Sequence, residues 1–91
     1  MSRTEKQKLK LLYLLKILHE KTDQEHPLST QEIINALGTY DIRAERKSIY
    51  DDMECLKLFG YEVEYIKARR GGGYYLAERR FELAELKLLV D

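Results

Sequence analysis

Tryptophan is absent from this 91-residue chain, cysteine and proline occur once each and histidine twice, and neither charge is in excess, with 16 Lys and Arg against 16 Asp and Glu. A lone Cys55 excludes an internal disulfide and fits a reducing compartment. Long apolar runs are missing too. The longest, Leu11 to Leu15, is stopped by Lys16 and has no small-residue cleavage site, so it is too short to span a bilayer and wrong for a signal peptide. A cytoplasmic protein with no membrane partner is therefore expected. His19 and His26 have no cysteine or carboxylate at metal spacing, so no metal is expected. The triplet Gly71 to Gly73 is not followed by the Gly-Lys-Ser/Thr of a phosphate loop, and Cys55 has no histidine near it. With no nucleophile beside a base, the expectation is a non-enzyme without a cofactor. Zero net charge means that any case for nucleic acid rests on where the basic residues sit rather than on their number.

What is present reads as one small domain of alternating patterns, able to bury roughly 60–70% of its unfolded surface. Residues 5–21 have helical periodicity, with Leu11, Leu14, Leu15 and Leu18 on a core stripe. Leu9, Tyr13 and Ile17 form a second stripe, which either another part of the chain or a dimer partner would cover. Leu28-Ser29-Thr30-Gln31-Glu32-Ile33 is a capping box inside a hydrophobic staple, so a second helix starts at Thr30; Gly38 should end it as a left-handed residue. The third helix, Ala44 to Gly60, puts Ile49, Met53, Leu56 and Phe59 on its core side and Ala44, Lys47, Tyr50, Asp51 and Glu54 on the other. From Tyr61 the period becomes two. A strand through Tyr65, a turn over residues 68–73 and a return strand from Tyr74 to Ala77 make a hairpin, with Tyr61, Val63 and Tyr65 facing the core. The fold class predicted is mostly α with a β-hairpin: a winged helix-turn-helix of three helices and a two-stranded wing over residues 1–78, then a linker helix over 79–91. Phe81 to Asp91 keeps a helical pattern, with Leu83, Leu86 and Val90 aligned, right up to the last residue, which suggests a piece of a longer protein.

Charge placement points to DNA. Arg43, Arg46 and Lys47 stand at the start of the third helix and Asp51, Asp52 and Glu54 in its middle, the reverse of what the helix dipole favours by roughly 0.3–1 kcal/mol per charge. A helix with a basic first turn and one buried flank suits the major groove. Arg43, Lys47, Ser48, Tyr50 and Asp51 are the candidates for base contact; a carboxylate such as Asp51 accepts from cytosine, or else pairs with Lys47. Lys8, Lys10, Arg46, Lys67, Arg69 and Arg70 are the candidates for phosphate contact. Asp52, at the edge of the core stripe, is expected to hold backbone amides or a basic side chain. RNA is disfavoured because the hairpin offers no platform of outward aromatics.

The run from RKSIYDD, with Leu56 further on, through GGYYL to FELAELKLLVD, together with the STQEI helix start and Lys8-Leu9-Lys10, strongly resembles the N-terminal winged-helix domain of bacterial WYL-domain transcriptional regulators, related to the DeoR-type helix-turn-helix. The likeness covers nearly the whole chain. It implies a sequence-specific bacterial transcription factor that binds double-stranded DNA, is a homodimer at full length, and carries a further C-terminal domain with an effector that the residues do not identify. The alternative is a winged helix used for protein association. In that case Leu9, Tyr13, Ile17, Leu83, Leu86 and Val90 would form the dimer, linker or partner surface.

Overall fold

A computed structural model describes residues 3–68 and 71–78. The chain runs α1 (Arg3–Lys21), α2 (Thr30–Gly38), α3 (Arg46–Phe59), β1 (Glu62–Ala68) and β2 (Gly71–Glu78), three helices followed by an antiparallel hairpin in a winged-helix-like arrangement. The linker helix expected over residues 79–91, with Leu83, Leu86 and Val90, and the tip residues Arg69 and Arg70 lie outside the described residues.

Local chemistry starts α2 where expected. The Ser29 hydroxyl accepts the Glu32 N–H (3.1 Å) while the Glu32 carboxylate accepts the Ser29 N–H (2.9 Å), so two amides left over by the helix are satisfied reciprocally. Its other end departs from expectation. Gly38 remains right-handed, a further tight turn follows, and the left-handed residue is Asp41 (φ 61°). There the Asp41 N–H returns to Gly38 O (2.9 Å) and the Ile42 N–H to Leu37 O (3.1 Å), the bond pair that normally surrounds a glycine. The cause is tertiary: Tyr40 stacks on Tyr13 with centroids 4.4 Å apart, and Lys6 of α1 grips Asp41 through its carboxylate (2.9 Å) and its carbonyl (3.1 Å). At the end of α3, Gly60 (φ 127°) takes the same role conventionally, with the Tyr61 N–H bonded back to Leu56 O.

The core joins Leu14, Ile17 and Leu18 of α1 to Ile33 and Leu37 of α2, Ile42, then Ile49, Met53 and Leu56 of α3, and Val63 and Leu76 of the hairpin. Each such side chain contributes roughly 1.5–3 kcal/mol on full burial. Two expectations are corrected here. Ile17 is wholly buried within the chain and so is unavailable to a dimer or linker surface; the stripe it was assigned to is divided, with Tyr13 under Tyr40 and Leu9 half-buried. Phe59, the last residue of α3, stays 68% exposed because it sits at the rim of the buried face, where Tyr61 stacks on it at 5.9 Å.

The hairpin is longer than its sequence suggests. Gly71 to Gly73 belong to β2, opposite Ala68, Lys67 and Ile66, rather than to a turn. Gly73 is buried against the α1–α2 connection: a Cβ there would stand 2.8 Å from the Pro27 side chain and 3.0 Å from the Leu28 backbone. That approach lets Leu28 and Tyr74 exchange both backbone hydrogen bonds (2.9 and 2.7 Å), while the Leu76 N–H donates to the Thr22 hydroxyl (3.0 Å). The outer edge of β2 is thus covered, and the hairpin is anchored to the helices. Val63 and Leu76, Tyr65 and Tyr74, and Lys67 and Gly72 are opposed pairs on one face, which passes from core to tyrosines to Lys67.

Candidate nucleic-acid interface

Burial of Ile49, Met53 and Leu56 turns the opposite side of α3 outward, so Lys47, Tyr50, Asp51 and Glu54 are exposed, as are Arg46 at its first position and Arg43 just before it. Among the described residues no ion pair or hydrogen bond occupies the side chains of Arg43, Arg46, Lys47 or Asp51. Lys47 and Asp51 therefore do not pair, although four residues apart. The first turn of α3 contains no acidic residue. Arg43, Arg46 and Lys47 flank the N-cap Glu45 at the helix start, where the amides already carry partial positive charge that an incoming anion relieves.

Ser48 and Lys10 have a different use. The Lys10 ammonium of α1 donates to Asp52 (2.5 Å) and to the Ser48 hydroxyl (3.0 Å), with Lys10 and Asp52 side chains only 13% and 21% exposed. The Ser48 hydroxyl in turn donates to Glu45 O (2.9 Å) and accepts the Glu45 N–H (3.3 Å). One donor and two acceptor positions are all a serine hydroxyl has, so Ser48 is saturated inside the chain. Lys10, a phosphate candidate on sequence grounds, is the bolt between α1 and the first turns of α3, and Asp52 holds a basic side chain as anticipated. Lys8 is exposed but two residues from Lys10, about 200° round α1, and so lies away from α3.

On the wing, Lys67 is exposed near the end of β1. Tyr65 is corrected: it is 50% exposed rather than core-facing, and meets Tyr74 edge to face with centroids 5.0 Å apart. Burial, followed by the nearby charges of Tyr50, Tyr65 and Glu54, raises the Tyr74 phenol above its ordinary value. α3 packs against β1, so α3 and the wing share a junction that sequence reasoning missed. The signal for it was a tyrosine pair at opposed positions of the hairpin with glycine next in register. Glycine at position 72 admits the chain's own groups: a Cβ there would run into the Tyr65 hydroxyl and stand 2.7 Å from the Ile66 carbonyl.

Among the described residues no cluster of His, Cys, Asp or Glu is placed to hold a metal ion, and no helix is long and apolar enough to cross a membrane. Comparison with known protein families, with curated proteins and with solved structures found no match to this chain.

Proposed function

We propose that this domain binds double-stranded DNA as the sequence-reading part of a bacterial transcriptional regulator of the WYL-domain type, working in the cytoplasm and dimeric at full length. α3 enters the major groove, and the hairpin tip lies on the flanking backbone or minor groove. The observation that carries the reading is the trio Arg43, Arg46 and Lys47, exposed at the start of α3 with no partner among the described residues. Arg43, Lys47, Tyr50 and Asp51 face the base edges in this arrangement, with Arg46 and Lys67 on phosphates. Ser48 and Lys10 hold the helix rather than touch the DNA.

Anisotropy of the chain with random-sequence duplex across a salt series tests this. The log-log slope should be steep, and changing Arg46 and Lys67 to alanine should flatten it by about 0.9 for each phosphate that is no longer neutralised. A slope that ignores those changes would refute the assignment. Exposed Leu58 and Phe59 at the far end of α3 favour a second reading, protein association, whose binding would hardly respond to salt.

A further inference from the structure

The wing carries aromatic surface, the half-exposed ring of Tyr65, that duplex reading does not use. Bases stacked in a duplex present only their edges to a groove, whereas Tyr65 and Tyr50 present half-exposed rings (50% and 45%). Tyr65 is rigidly seated. Its ring lies across Gly72, in the space a side chain would fill, and its edge-to-face contact with Tyr74 at 5.0 Å and 66° fixes its tilt. Tyr74 stands half-buried behind it, and α3, which packs against β1, carries Tyr50 and Glu54 on its exposed side. Beyond the tyrosines on the same strand face stands exposed Lys67, opposite Gly72 and next along the strand face from the Tyr65 ring. Glu54 does not leave the site strongly anionic, since Lys57 pairs with it at 3.2 Å.

Fixed aromatic faces beside a cation are what binds an unpaired nucleotide, by stacking the base and neutralising its phosphate. We propose that Tyr65, backed by Tyr74 and Gly72 and flanked by Tyr50 and Lys67, is a stacking seat for an unpaired nucleobase, giving the domain an affinity for single-stranded nucleic acid in addition to duplex reading. The seat deepens the DNA-binding function proposed above and rests on it. Glu54 supplies an acceptor for a base amino group, and Lys67 meets the phosphate next to the seated base.

The test uses the whole chain and a fluorescein-labelled thymidine oligomer of roughly 12 nucleotides, within the usual range of site sizes, alongside the random duplex. The absence of tryptophan makes tyrosine emission directly readable, and stacking should quench it. Tyr65→Ala should weaken oligomer binding about 5- to 150-fold, the value of one stacked base, and Tyr65→Phe should restore it, while duplex binding moves far less. Thermal melts of each variant show that it is folded, and Tyr50→Ala, on a separate element, supplies a second reading if Tyr65→Ala melts early. Oligomer binding that is unchanged in folded Tyr65→Ala and Tyr50→Ala overturns the seat. So does duplex binding with no oligomer binding, which leaves the duplex function standing. Failure of both probes removes the seat together with the function it rests on.

Discussion

Removing the Asp52 carboxylate strands the Lys10 ammonium between two helices. Lys10 is 13% exposed and its Nζ has two partners, Asp52 at 2.5 Å and Ser48 at 3.0 Å. In Asp52→Ala one hydrogen bond to a hydroxyl is left to hold a mostly buried charge. Breaking a fully buried pair from one side costs about 3–5 kcal/mol. Partial access to water at Asp52 lowers this, and about 1–3 kcal/mol is expected, the range for a buried polar group that loses its partner. Lys10→Met should cost less, because methionine keeps the alkyl packing and the Asp52 carboxylate is the more exposed partner. The double variant should recover part of the loss, with a coupling of about 0.5–3 kcal/mol between the two positions. Urea or thermal unfolding of the four proteins measures this directly, each 1 kcal/mol shifting the midpoint by about 4–8 °C in a domain of this size. Losses that simply add, within about 0.3–0.5 kcal/mol, would show that the bolt does not join α1 to α3 in solution.

Three other positions lead to sharp expectations. The Lys6 hydrogen bond, and next the Lys6 charge, hold the Asp41 carboxyl below its ordinary value of 3.8. Its contribution to stability is therefore fully present above that value and disappears as pH falls through the lowered one. The melting-temperature gap between wild type and Asp41→Asn, which keeps a residue tolerant of positive φ, should be wider at neutral pH than in strong acid; a constant gap would dismiss the Lys6 contact. Gly73→Ala drives a Cβ into Pro27 and the Leu28 backbone and should cost about 1–3 kcal/mol. Gly38→Ala meets nothing within 4 Å, in a right-handed helix, and should stabilise by about 0.4–1 kcal/mol. Opposite signs in a pair of chemical melts check both, and a destabilised Gly38→Ala would restore the left-handed role that its sequence position suggested.

Much of the fold was legible because its signals are short-range. The Ser29–Glu32 box, the spacing of Ile49, Met53 and Leu56, and the switch from helical to alternating period at Tyr61 each depend on neighbours within about one turn or a few residues of strand. The exposed basic start of α3 follows from the same periodicity, since burying one side presents the other. The errors fell where partners come from far along the chain. Lys10 looked like a phosphate ligand until α1 crossed α3, and the sequence left Ile17 open between cover by the chain and a dimer partner until the core took it in. Tyr65 had the spacing of a core residue, yet the core ends at Val63 and Leu76, so the next pair along the strand is left half outside.

Amino-acid order by itself thus determined the three helices, the start of α2 at Thr30, the hairpin and the outward face of α3, because hydrogen-bond capping and hydrophobic periodicity act between residues close in sequence. The other two starts moved, α1 beginning at Arg3 rather than residue 5 and α3 at Arg46 rather than Ala44. Only the tertiary structure decided which cations remain available, why Gly72 and Gly73 must lack side chains, and how Tyr65 and Tyr74 meet, because each depends on which distant groups share the same few ångströms once the layers pack.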